Sequence, residues 1–363
     1  MEETMINRRQ FNAGLIAASM PLVAFKEAMA ATKKINLTIA SSHPTVIPWV
    51  GPLQSVIVAK ANTMLKERGS DYQIEWTEAY GGALYNFNDT LEAVTNNLTD
   101  IGWIGSLWEP STLPLHNIYF STPFTTTTPK QAVGIMNSLD DSEKAMQNEW
   151  TNQDVISFGA CVSGGYHLFT KKPINKLSDL EGMKILGAPT TAPYLTPFGA
   201  TVVPSGLPAM YSQLETGVGD GVIIIHAGAF PLKLYEQAPH VTLVDTGPFT
   251  FGASGMNLNV FNSLPSEVQD VLKTLGREYS TANAGVITML GKKALSVYEA
   301  AGCTIREMPD SQRKDMANGM EDLGALFVEN LEPKGVPAGD ILKKFMKLAG
   351  ETGQPLRDWS ANI

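Results

Sequence analysis

Residues 91–104 read L-E-A-V-T-N-N-L-T-D-I-G-W-I, and residues 211–225 read Y-S-Q-L-E-T-G-V-G-D-G-V-I-I-I. In each stretch a short helical pattern ends in a turn, and an aspartate opens an apolar strand. The first has Leu91, Val94 and Leu98 at i, i+3 and i+7, behind Asn88-Asp89 as a cap. In the second, Val222 to Ile225 is apolar enough for a strand buried on both faces. One such unit in each half predicts two similar α/β units, each with its own core and a cleft between them. Ligands of open α/β sheets bind in crevices at the carboxyl ends of strands, so the cleft is the expected site.

Outward from these units the alternation continues. Lys34 to Ala40 alternates as a strand, and Ser41 to Gly51, with two prolines, reads as a loop. Pro52 to Arg68 has Leu53, Val56, Ile57, Ala61 and Leu65 at helical spacing, and Gln73 to Glu78 reads as a second strand. Strands alternating with helices predict a mainly parallel sheet. Ser266 to Ala300 is helical over about 35 residues, interrupted only by Gly276, Gly285 and Gly291. That is long for a globular helix, and a spine lying across both lobes would account for it. The tail from Asp310 to Ile363 is rich in helix formers.

The chain has 363 residues, 44% of them hydrophobic and 17% charged. That exceeds one compact core and suits two domains. A net charge of -9 repels phosphate backbones and anionic headgroups, so nucleic acid is not an expected partner. Arg8 and Arg9 precede the apolar run Ala13 to Phe25, and Ala28-Met29-Ala30 supplies small residues for cleavage. This is the layout of an export signal over residues 1–30, too short to cross a hydrocarbon core that needs about 20 apolar residues. Asn7-Arg8-Arg9-Gln10-Phe11 looks like its twin-arginine variant, and the expected location is the periplasm. The two cysteines, Cys161 and Cys303, lie far apart in strand-like contexts and read as free thiols rather than a disulfide framework.

Several segments together resemble the substrate-binding subunits of tripartite ATP-independent periplasmic (TRAP) transporters, of the DctP type. They are Leu91 to Val94 with Thr99 to Gly102, Pro114 and Pro123-Phe124, and Thr170 to Ile174 with Asp179 to Ile185. Tyr211, Leu214 and Gly217 to Gly221 follow, then Met256-Asn257 and Asn262 to Pro265. The resemblance implies a two-lobed α/β solute-binding fold, type II-like, with crossing hinge strands and a spine helix. One lobe would hold 31–160 plus 248–290, the other 161–247 plus 291–363. It also implies a small organic solute, integral membrane partner subunits, no cofactor, and a receptor expected to act as a monomer.

The family holds its ligand's carboxylate with arginines. By register these positions fall on Leu186 and Tyr166, and the stretch from Ala160 to Thr170 contains no arginine. Burying an unpaired carboxylate is costly, so a typical dicarboxylate is not the expected solute. Lys171, His43 or His226 serving instead remains the alternative. The expected cleft loops are aromatic: Trp49 beside His43, Tyr80, Trp103, Trp108, Tyr166 and Tyr194, with Glu78 and Glu109 adding negative charge. Such walls suit stacking or an ammonium group. His226, at the end of a buried strand, is either a ligand contact or a satisfied core histidine. Trp76 and Trp150 read as core.

Catalysis has little support in the sequence. The histidines at 43, 116, 167, 226 and 240 are scattered with no metal-ligand spacing, and no G-x-S-x-G elbow, G-x-G-x-x-G or P-loop is present. A receptor for an ATP-driven importer is the competing binding reading.

Overall fold

The structure is a computed structural model and describes residues 32–363. The export signal expected over residues 1–30 lies outside the described residues. The strands are β1 (Lys33–Ala40), β2 (Tyr72–Ala79), β3 (Ile101–Ile104), β4 (Val155–Ser163), β5 (Tyr166–Thr170), β6 (Lys184–Gly187), β7 (Thr201–Pro204), β8 (Gly221–Ile225), β9 (His240–Leu243), β10 (Phe249–Asn257) and β11 (Thr304–Glu307). They form two sheets, ordered β2-β1-β3-β10-β4 and β11-β9-β5-β8-β6-β7. The chain passes from the first sheet to the second between β4 and β5, and returns between β9 and β10.

The strands that carry these crossings break the parallel order. β1 runs parallel to β2 and β3, but β10 is antiparallel to both β3 and β4. In the second sheet β6 runs parallel to β7 and β8, while β5 is antiparallel to β8 and β9. Each sheet is therefore mainly parallel, as expected, with a single reversed strand: β10 in the first and β5 in the second. Helix-connected strands must run parallel, whereas β5 and β10 arrive directly from the other sheet and run against their neighbours.

The aspartates that open β3 and β8 do the same work in both sheets. Asp100 accepts the Thr38 N–H through its carboxylate at 2.7 Å and donates its own N–H to Thr38 O at 3.1 Å. Asp220 accepts the Lys184 N–H at 2.9 Å and donates to Lys184 O at 2.7 Å. Each thus brackets the neighbouring parallel strand and fixes its register. This is the structural basis of the repeated helix-into-aspartate pattern.

The helix Ser266–Ala300 is continuous over 35 residues. Gly276 and Gly159 let it lie directly on β4, where a Cβ at Gly276 would run into Phe158. Its second half buries Ala294 and Tyr298 in the core of the second sheet, with Phe169, Leu186 and Val222. One rigid element therefore spans both sheets. The helix Asp310–Gly319 approaches Phe198 of the second unit. The last helix, Ala338–Thr352, reaches back to the first, with Phe345 against Tyr119 at 4.9 Å. Trp359 Nε1 donates to Pro123 O at 2.8 Å.

Candidate functional site

The loops after β1 and β3 bring a group of rings together on the first sheet. Trp103, on β3, is fully buried and donates its indole N–H to Cys161 Sγ at 3.0 Å. Its neighbours are His43 at 5.7 Å, Trp49 at 5.7 Å, Trp108 at 5.9 Å and Phe251 at 5.8 Å. The 43–51 loop is held in place by the spine helix: Tyr279 Oη donates to Trp49 O at 2.7 Å and Asn283 Nδ2 to Pro48 O at 3.1 Å. Trp49 lies edge-on to Phe251 at 5.1 Å, and its Nε1 is buried without a partner. Trp108, 37% exposed, forms the rim against Phe87 at 4.2 Å. Burial lowers the pKa of His43, so its ring is neutral at pH 7.

From Phe251 the rings continue into the second sheet. Phe249 and Phe251 lie two residues apart on β10, with ring centroids at 6.1 Å. Tyr166, at the start of β5, stacks on Phe249 at 5.0 Å and 9°, and Tyr194 follows at 6.5 Å. Tyr194 Oη donates to Phe120 O at 2.9 Å, tying the two sides together. An unbroken aromatic row therefore runs from Trp108 through Trp103, Trp49, Phe251, Phe249 and Tyr166 to Tyr194, across the passage between the sheets.

The remaining expected site residues are placed elsewhere. Among the described residues Tyr80 makes none of these ring contacts; its hydroxyl is buried without a hydrogen bond, and burial followed by the Glu78 carboxylate raises its pKa. Glu78 is exposed and accepts from Gln54 Nε2 at 2.9 Å. Leu186 is fully buried beneath the second sheet with Phe169, Val222 and Leu214, away from the aromatic row. His226 stacks on His167 at 4.1 Å and contacts Tyr298 at 5.7 Å, against the spine helix. Burial first, then His167, depress the His226 pKa to about 3, which keeps it uncharged. Phe87, Phe249 and Phe251 were missed by the sequence reading. For the last two, the Phe249-Thr250-Phe251 alternation was the available signal.

The arginines of the described residues are all engaged outside this row. Arg68 meets Thr274, Arg277 meets Asn137 and Asp141, and Arg306 meets Asn175 and Gln312. Arg313 bonds Val244 O and Asp245 O, and Arg357 bonds Ala317 O and Met320 O. Lys171 donates to Leu214 O at 2.5 Å. Cys161 and Cys303 are free, the first buried and the second partly exposed. No group of three His, Cys, Asp or Glu able to hold a metal occurs among the described residues.

Two sheets joined by two crossings and a shared helix define a two-lobed α/β solute-binding fold. Residues 57–330 match the family model DctP, described as bacterial extracellular solute-binding protein, family 7, and the chain belongs to this family. It is 33% identical over 129 residues (34% of this chain) to a solute-binding protein of Sulfitobacter sp. (strain NAS-14.1). It is 27% identical over 195 residues (52% of this chain) to the ectoine-binding periplasmic protein TeaA of Halomonas elongata. The matched stretches span 38% and 50% of those relatives, less than two thirds of either. In fold it is similar to a TRAP periplasmic solute-binding protein from Desulfovibrio salexigens, with TM-score 0.73 and 22% identity, covering 87% of this chain and 96% of that one. It is also similar to one from Rhodoferax ferrireducens in complex with benzoate, with TM-score 0.70 and 18% identity over 87% and 98% of the two chains.

Proposed function

We propose that this chain is the periplasmic solute-binding receptor of a TRAP-type secondary transporter. It captures a small organic solute between two lobes, does no chemistry on it, and passes it to integral membrane subunits. The lobes are 31–160 with 248–290 and 161–247 with 291–363, the last helix of the second reaching back over the first. The receptor acts as a monomer, exported by the twin-arginine route. Family membership and sheet composition support this reading. No helix of the described residues is long and apolar enough to cross a membrane.

For the solute, the observation that carries the proposal is the aromatic row, with every described arginine occupied elsewhere. A typical dicarboxylate would be buried without a paired cation there, at a cost of several kcal/mol. A flat uncharged ring or an ammonium group gains instead from stacking and from cation–π attraction of about 0.5–2 kcal/mol per ring. Trp49, Trp103, Trp108, Tyr166 and Tyr194 form the wall, with His43 and the exposed Glu78 toward its margin. Tyr80, His226 and Leu186 take no part in that wall. The ligand's affinity for the closed form drives closure.

A thermal-shift screen over dicarboxylates, ammonium compounds and neutral aromatics tests this. A solute at 100 times its Kd stabilises by about 2.7 kcal/mol. The largest shifts are expected from aromatic or ammonium compounds, and simple dicarboxylates giving the largest shift would overturn the proposal. Trp108→Ala should weaken binding of the best compound by about tenfold, a loss of about 1.4 kcal/mol. Because Trp108 lies at the rim, its melting temperature without solute should stay within a few degrees of wild type.

A further inference from the structure

The return crossing between the sheets, residues 244–248, is held by hydrogen bonds at four of its five carbonyls. Arg313 Nε donates to Val244 O at 3.0 Å, and its Nη2 donates to Asp245 O at 2.8 Å. The Phe124 N–H donates to Thr246 O, and Thr126 Oγ1 donates to Pro248 O. Within this crossing Asp245 has φ +50° and Gly247 φ +91°, and Phe124 beside it has φ +63°. Left-handed residues other than glycine persist only where surrounding contacts hold them.

Arg313 supplies contacts on several sides at once. Asp310 Oδ1 lies 3.1 Å from its Nη1 and Asp245 Oδ2 lies 3.6 Å from its Nη2. The guanidinium stands 5.8 Å from the Phe124 ring centroid. Its helix follows the second sheet, where the Met308 N–H donates to Leu243 O at 3.1 Å. One side chain thus joins the second sheet, the crossing and the 122–126 loop of the first unit. The crossing can change its dihedrals only if the two bonds from Arg313 rearrange.

We propose that Arg313 is a positioning residue for lobe closure. By fixing the carbonyls of Val244 and Asp245 it sets the interlobe angle of the unliganded receptor, and through it the fraction of molecules competent to bind. This rests on the hinged-receptor reading above. The test uses the full chain carrying Gln73→Cys on β2 and Lys172→Cys just past the end of β5, both exposed positions, with Cys303→Ser so that buried Cys161 is the sole native thiol. Spin labels at the two sites report the interlobe separation by double electron–electron resonance, with no solute present. Arg313→Gln removes two bonds from a charged donor and should change the ratio of separations by about tenfold or more. Arg313→Lys, which keeps the charge but can serve one carbonyl, should fall between the two. Gly165→Ala is the control for mobility, since a Cβ there meets Asp245 Oδ1 at 2.6 Å and Gly247 N at 3.0 Å and forces the crossings apart. If only Gly165→Ala moves the distribution, Arg313 is merely structural and the inference fails, whatever happens to the melting temperature. If neither does, the sheets do not hinge and the receptor reading itself falls.

Discussion

His116 lies in the core of the first unit between two carboxylates, with Nδ1 2.6 Å from Glu149 Oε2 and Nε2 2.8 Å from Asp140 Oδ1. Trp150 Nε1 is also 2.7 Å from Nε2, a donor that only a neutral ring could accept. Two carboxylates against one indole favour the imidazolium. Burial alone would depress its pKa, but Asp140 and Glu149 outweigh that and raise it to about 9. His116 therefore adds stability that is full below about pH 6.5 and lost as pH rises through about 9. His167 and His226 act in the opposite sense. Burial, then Arg313 for His167 and His167 for His226, depress both to about 3, so their contribution is present above about pH 6.5 and lost as pH falls toward 3. Melting temperature should thus peak a little above about pH 6.5 and decline from there toward about pH 9, with His116→Gln flattening that alkaline limb. Breaking the buried pairs should cost that variant about 3–5 kcal/mol. A melting profile for His116→Gln superposable on wild type would refute this account. None of it was legible in the sequence, because Asp140, Glu149 and His116 meet only through tertiary packing. The aromatic row was partly legible. Trp49, Trp103 and Trp108 flank readable strands, whereas Leu186 was assigned by register and His226 by its place at the end of a buried strand, neither of which specifies the face a side chain takes.

At the scale of elements, the spine helix was readable residue for residue, since its 3.6-residue apolar pattern is long and its glycines are isolated. Those glycines look like breaks in sequence. Gly276 is instead where helix and strand touch, and replacing it with alanine should cost about 1–3 kcal/mol by overpacking against Phe158. Gly285, with nothing within 4 Å of a Cβ, should tolerate alanine or gain about 0.4–1 kcal/mol. Denaturant midpoints of the two variants moving together would contradict this contrast. Asp100→Asn and Asp220→Asn remove equivalent charges from equivalent brackets, so each should lose about 1–2 kcal/mol in urea unfolding. The mainly parallel order was legible, but its one exception in each sheet was not: β5 and β10 owe their direction to the crossings, which leave no mark in local periodicity.

For the molecule as a whole, an α/β architecture with a long shared helix followed from the repeated pattern and the 266–300 periodicity. The return of the last helix onto the first unit did not, because amphipathic helices do not state which surface they cover. The wall has an optical consequence. Trp49, Trp103 and Trp108 hold half of the protein's six tryptophans within one van der Waals cluster, at centroid spacings of 5.7 and 5.9 Å. Indoles that close couple their strongest transitions, so the folded protein should carry a circular dichroism couplet in the far ultraviolet. A guest lodged among the rings, as proposed above, would change its sign or size, giving the protein an intrinsic chromophore for occupancy that needs no added dye.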